Sequence, residues 1–359
     1  MAAKIGDVYF IKVGGSSAEE RVSALKRLLK KAVPFSEYGK NEIIPVKLTI
    51  GDEPCVYHIN PELVKVIVSS IKAGSSRPFL FDTSVIYKGK RQNAVDHLTL
   101  AHTKGFGHSK VGAPFVIADG VFGSDGKEFT TGAGDINRIK IPSFIGMLDS
   151  LVVLSHATGH IVSRYAGAIK NVAMGISCRP TKQVQHSSLK PSVVRAQCTA
   201  CGCCIVICPV NAISYVKEKA DIDQGLCIGC GECICACKFD AMHINWGEDP
   251  HIFCRRMAET ANFILSKFKN KFFVNFALDI TKECDCISTA DEPMVSENVG
   301  ILASTDPVAL DRATMDLISR RKKGDYFSHK AEIYEKMFEY AAKIGLGSLE
   351  YNLVEVKGG

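Results

Sequence analysis

The amino-acid sequence predicts an α/β protein, a split α/β scaffold in two lobes with a small cysteine-rich module inserted into it. Three observations carry that expectation. Short apolar runs ending in polar residues alternate with amphipathic stretches along most of the chain. The stretch CTACGCCIVICP (198–209) holds five cysteines, and its spacing returns at 227–237. The alternation resumes beyond that stretch, so the cysteines read as an insertion. The expected division is 1–190 and 248–359 for the two parts of the scaffold, with 191–247 as the module.

Taken in order, VYFIKV (8–13) is a strand. A helix follows, with Ser17 and Glu20 at the spacing of a capping box. IIPVKLTI (43–50) is a strand, and Pro61 opens a helix that runs to Ile71. PFLFDT, PFVIAD and LVVLSH are further buried strands. Beyond the module a helix over 250–269 leads into the strand KFFVNFALDI. The strand VGILAS and a helix with Asp306 at its N-cap and Pro307 in the first position complete the scaffold.

Composition narrows the class. In 359 residues, 46% are hydrophobic and 23% charged, the balance of a globular chain. The net charge of +6 is mild, and the basic cluster at 320–323 reads as a solvated helix end, so nucleic acid is not an expected partner. No apolar stretch is long enough to span a bilayer. The start, MAAKIGDVYFIKV, reads as a strand and not as a secretory signal. Fifteen cysteines without an export signal point to a reducing compartment, where thiols serve metals or catalysis. A cytoplasmic location is expected.

Cys198, Cys201, Cys204 and Cys208 give C-x-x-C-x-x-C-x-x-x-C followed by Pro209. Cys227, Cys230, Cys233 and Cys237 repeat the spacing, with Lys238 in place of the proline. Three closely spaced thiolates wrap one face of a 4Fe-4S cube, and in duplicated modules the fourth cysteine of each run ligates the other cluster. One cluster is therefore assigned to Cys198, Cys201, Cys204 and Cys237, the second to Cys227, Cys230, Cys233 and Cys208. Structural zinc is the competing reading of C-x-x-C pairs. Over 191–247 the chain resembles bacterial-type two-cluster ferredoxins.

Polar residues gather where predicted strands end: Asp82, Asp119, His156, Asp279 with Cys284 beyond it, and Thr305 with Asp306. Ligands collect at such carboxyl ends in α/β sheets. The segment SHATGHIVSRYAGAIKNVAMGIS (155–177) adds His156, His160 and Lys170, and His186 follows. Cys284 and Cys286 form a close pair that could bind a further metal with a histidine or act as redox thiols.

The segments DTSVIYKGKRQNAVDHL, APFVIADG, SHATGHIVSRYAGAIKNVAMG, CDC and ILASTDPVALDRA resemble the domain-of-unknown-function 362 family, whose members often carry a ferredoxin-like insert. HIVSRYAGAIK (160–170) is also similar to a stretch of the nickel-pincer lactate racemase family. That resemblance implies His160 as an acid/base group, Lys170 as a tether or substrate-binding cation, and His186 as a metal ligand. The chain departs from that family in lacking a Gly-Thr-His-Arg-Pro motif; GKRQNA (89–94) stands nearest to it.

The expected function is an iron-sulfur oxidoreductase passing single electrons through two 4Fe-4S clusters to a substrate or cofactor in the α/β cleft. His156, His160 and Lys170 are its catalytic candidates, and Asp82, Arg91 and Asn171 its substrate-binding candidates. An additional metal or organic cofactor in the cleft stays open. The expected partners are an electron donor or acceptor protein such as a ferredoxin or flavoprotein, a small-molecule substrate and a second copy in a homodimer. The alternatives are an electron-transfer subunit for a partner enzyme, and a non-redox racemase-like enzyme with structural clusters.

Overall fold

The computed structural model describes residues 5–15, 17–87, 89–132, 134–186, 190–227, 229–243, 249–321 and 325–357. Lys322 and Lys323 of the basic cluster, and 244–248 at the end of the expected module, lie outside the described residues.

Eight strands build one sheet: β1 (Gly6–Lys12), β2 (Ile43–Lys47), β3 (Arg77–Asp82), β4 (Phe115–Ile117), β5 (Ser150–His156), β6 (Asn270–Ala277), β7 (Gly300–Ser304) and β8 (Tyr351–Glu355). Their spatial order is β8-β1-β7-β6-β5-β2-β3-β4. β7 runs antiparallel to both its neighbours, and every other pairing is parallel. The two expected lobes are therefore corrected to one sheet. Strands from before and after the cysteine module interleave in it, with β1 bonded to β7 and β5 to β6. Buried strands leave no backbone group unpaired only if the ladder runs on, and here it runs through both halves.

Every residue of the central strand β5 is buried. Successive side chains point to opposite faces. Leu151 and Val153 join one apolar cluster and Val152 and Leu154 the other. The second cluster is covered by α1 (Ala18–Ala32), α2 (Pro61–Ala73) and α3 (Ala94–Thr103). The first is covered by α4 (Ala168–Ala173), α5 (Arg179–His186), α6 (Pro250–Leu265), α7 (Pro307–Ser319) and α8 (Glu332–Lys343).

Local signals hold where a side chain closes its own turn. Ser17 Oγ accepts the N–H of Glu20 at 3.2 Å, and Asp306 accepts those of Val308 and Ala309 at 2.9 Å. The reciprocal arm of the capping box is displaced, because the Glu20 carboxylate takes the N–H of Gly15 instead. No helix among the described residues is long and apolar enough to cross a membrane.

The parallel strands β2, β3, β4, β5 and β6 all point their carboxyl ends to the same edge. That edge is where Lys47, Asp82 and His156 end their strands.

Candidate functional site

A cavity of about 530 Å³ opens at that edge. Its lining includes Asp82, Arg91, His156, His160, Lys170, Asn171, His186, Cys284 and Cys286. Lys47, Tyr87, Lys182 and Asp285 also line it and were not anticipated. Asp119, Asp279, Thr305 and Asp306, also singled out at strand ends, do not line it; Thr305 and Asp306 follow the antiparallel strand β7 and so lie at the opposite edge.

Asp82, at the end of β3, is the electrostatic hub. Its carboxylate meets Lys47 Nζ at 3.0 Å, Arg91 at 3.4 Å and His97 Nε2 at 3.5 Å, all four groups buried. Burial alone would raise its pKa, but Lys47, then His97 and Arg91, outweigh it and hold the carboxyl well below the usual range. Lys47 Nζ also donates to the Leu48 carbonyl and to Asn171 Oδ1 at 2.9 Å. Asn171 in turn donates to the Leu154 carbonyl at 2.8 Å and to Ser155 Oγ at 3.1 Å. Asn171 thus ties α4 to β2 and β5, and its amide is spent on protein partners. Gly175 makes room for this: a Cβ there would come within 2.5 Å of Lys47 Nζ.

The histidines divide by their partners. His156 Nδ1 lies 2.7 Å from Asp285 Oδ1, and Nε2 lies 2.7 Å from the Leu278 carbonyl. Both partners only accept, so both ring nitrogens carry protons and the ring is an imidazolium. Burial works against that charge, but Asp285 outweighs it and raises the pKa. His156 therefore positions the Cys284–Cys286 turn and offers no free nitrogen as a base. In His160, Nδ1 accepts the N–H groups of Val162 and Ser163 at 3.3 and 3.0 Å. Burial, with Lys170 and His186 nearby, keeps its pKa well below the usual value, so the ring is neutral and its proton sits on Nε2. Phe253 of α6 stacks on His160 at 5.8 Å and packs against His186 at 4.8 Å. His186 is also neutral, its pKa pulled down to about 3 by burial and then Lys170.

Cys284 is buried and Cys286 half-buried, on either side of Asp285. Both line the cavity with Lys170 and Tyr87, and each thiol acts on the ionisation of the other. Among the described residues, no three His, Cys, Asp or Glu side chains close to the spacing of one metal ion. His186, Cys284 and Cys286 thus share the cavity without forming a three-donor set.

Lys182 is the residue that local reading misses most. It lies on α5, and its ammonium donates to Thr83 Oγ1 at 2.7 Å and to the Ser84 carbonyl. Burial pulls its pKa down to about 8, although Asp119 and Asp82 act the other way. On helical spacing a single lysine reads as solvent-facing. The local hint is that α5 begins shortly after Gly175.

The cysteine module packs against this site. Its apolar cluster contains Ile213, Ile222, Ile234 and Met242, together with Cys198, Cys204, Cys233 and, from the scaffold, Ile86. Cys208, Cys227, Cys230 and Cys233 line one small cavity. Burial first, then Cys237, Cys201 and Cys198, push the Cys204 thiol up to about 11, which makes those three its sulfur neighbours. Matching backbone donors point at sulfur in the two halves: Ala212 N to Cys208 Sγ at 3.2 Å and Ala241 N to Cys237 Sγ at 3.3 Å. Two short helices, Cys203–Ile207 and Glu232–Ala236, each follow a left-handed glycine, Gly202 and Gly231. Gly231 also lets the module close on α5, since a Cβ there would sit 2.9 Å from Gln183. Lys140 pairs with Glu232 and Gln92 reaches Asp240, so scaffold residues hold the module from two sides.

No curated protein matches the chain. Among solved structures, a protein from Thermotoga maritima superposes with a TM-score of 0.39 at 11% identity, over 92% of this chain and 60% of that one. The lactate racemase apoprotein from Thermoanaerobacterium thermosaccharolyticum gives a TM-score of 0.39 at 14% identity, over 76% of this chain and 51% of that one. The chain thus spans between half and two thirds of the length of these two. The model of the family described as "domain of unknown function" 362 matches residues 44–316. That span runs from the strand carrying Lys47 into the helix capped by Asp306, taking in the cavity and the module alike, and by it this chain belongs to the domain-of-unknown-function 362 family.

Proposed function

We propose that the protein is an iron-sulfur oxidoreductase in which two 4Fe-4S clusters, held by Cys198, Cys201, Cys204 and Cys237 and by Cys227, Cys230, Cys233 and Cys208, pass single electrons to a substrate or cofactor in the cavity. Such clusters supply one-electron chemistry when bound. The donor set supports them. Cys208 shares a small cavity with Cys227, Cys230 and Cys233, Cys237 acts on Cys204, backbone amides point at Cys208 and Cys237 sulfur, and apolar side chains surround the set.

The observation that carries the reading is a two-residue partition. Ile86 packs into the module's core and also lines the cavity. Tyr87 lines the cleft beside Cys237 on one side and the cavity on the other, where its hydroxyl takes a hydrogen bond from Arg91. Ile86 and Tyr87 thus border both the cleft beside Cys237 and the cavity, and an electron leaving the module there would pass them. Within the cavity, Lys170 and Arg91 supply positive charge for an anionic group. Lys182, with its pKa near 8, is suited to deliver the accompanying proton close to neutral pH.

Anaerobic purification followed by iron, sulfide and EPR analysis tests the reading. About eight irons per chain with reducible cluster signals are expected. Zinc in their place, or absence of acid-labile sulfide, overturns it.

A further inference from the structure

We propose that Cys284 and Cys286 interconvert between a dithiol and an intramolecular disulfide, holding two electrons at the wall of the cavity. The proposal rests on the electron-relay reading for its source of electrons and on the cavity's own geometry for the rest.

The geometry begins with a pinned turn. The Cys284 carbonyl accepts the N–H groups of Ile287 and Ser288, both at 3.0 Å. Between the two cysteines, Asp285 is held by His156 through its side chain, and its carbonyl accepts the N–H of Asp52 at 2.9 Å. Cα atoms two residues apart in a turn lie about 5–7 Å from each other, within the span a disulfide bridges. Both cysteines line the cavity.

The surroundings give the two sulfurs different roles. Cys286 beside it and then burial push the Cys284 thiol well above the usual range. Cys284 beside it, then Lys170 and Arg91, outweigh burial and hold the Cys286 thiol well below the usual range, which favours the thiolate there. A thiolate beside a thiol that can resolve it is an arrangement that exchanges with a disulfide. Cys55 stands apart from the exchange, its sulfur accepting a hydrogen bond from Ser288 at 3.2 Å.

The step balances. The S–S bond breaks as two electrons arrive, one from each reduced cluster, and one proton moves from the Lys170 ammonium to Cys284 sulfur. A thiol on Cys284 and a thiolate on Cys286 result, and solvent reprotonates Lys170. One-electron carriers are thereby matched to a two-electron group next to the ligand space.

The test uses the anaerobic holoprotein equilibrated with mixtures of reduced and oxidised dithiothreitol, quenched in acid, alkylated and digested with trypsin. Residues 283–312 form one tryptic peptide whose only cysteines are Cys284 and Cys286. Oxidation is expected to convert this peptide from the doubly alkylated form to one that takes no alkyl group and has lost two hydrogens. Cys284→Ser and Cys286→Ser should each abolish the conversion while leaving iron content unchanged. A peptide that stays doubly alkylated in fully oxidised dithiothreitol overturns the proposal. In the second arm the disulfide form is mixed with dithionite-reduced clusters and excess dithionite is removed. The clusters should reoxidise as two thiols appear, and in Cys286→Ser they should stay reduced. Clusters that stay reduced while the wild-type disulfide persists would overturn the relay and leave the dithiol standing.

Discussion

In the module, all eight candidate ligands fall between Cys198 and Cys237, and each is placed by a turn of its own loop. In the cavity, Lys47, Asp82, His156, Lys170 and Cys286 come from five separate segments and meet only because parallel strands end at one edge. The difference extends to stability. The scaffold has extensive apolar clusters on both faces of its sheet, whereas the buried cluster of the module is small and built in part from cysteines. The scaffold can hold its shape by burial alone. On the proposed reading the module, too small to bury enough apolar surface, would depend on the clusters its sulfurs hold.

The largest effect expected from this contrast is separate unfolding. Stripping iron, or Cys204→Ser, should abolish amide-exchange protection across 191–243 while strands β5, β6 and β7 stay protected. Hydrogen exchange read by mass spectrometry decides it, and loss of protection in both regions together would break the comparison. Next comes Asp82→Asn, which leaves Lys47 and Arg91 buried without their carboxylate. It should cost about 3–5 kcal/mol in urea unfolding of the scaffold. Iron content should not change.

His156→Gln ranks third, at about 2–3 kcal/mol, and it carries a pH signature. The pKa of His156 is raised by Asp285, so its contribution is full below the unfolded value of about 6.5 and fades as pH rises through the folded one. Asp285 is lowered by His156 against the effect of burial, so its contribution is full above about 3.9 and is lost only as pH falls through the depressed value. The difference between wild type and variant should therefore be widest between about pH 4 and 6.5 and narrow in alkaline buffer. The smallest effect is Ser17→Ala, about 1 kcal/mol from the lost cap of α1, with no change in the cavity.

What could be read from the sequence follows the same division. The cysteine register, the Ser17 and Asp306 caps and the apolar runs of β3 and β5 are local, and local signals suffice for them. The merging of two expected lobes into one sheet depends on β1 pairing with β7 across nearly the whole chain, which no local pattern records. In the cavity, His156, His160, Lys170, Cys284 and Cys286 were visible because such residues are conspicuous near strand ends. Lys47 and Lys182 were not, because a lysine looks like a solvated residue until its burial and its acceptors are known. Asn171 shows the converse: it lines the cavity as expected, yet its amide is bound to Leu154, Ser155 and Lys47.

The loop between β3 and α3 is one short excursion with two employers. Ile86 fills the module's core, Gln92 reaches Asp240, and Arg91 lies among Thr49, Tyr87 and Asp82. Its length is therefore constrained from both ends, and an insertion harmless in another surface loop would here misplace two sites at once. Anyone transplanting the cysteine module into a foreign scaffold would have to carry residues 85–92 with it, or else leave a hole where Ile86 belongs.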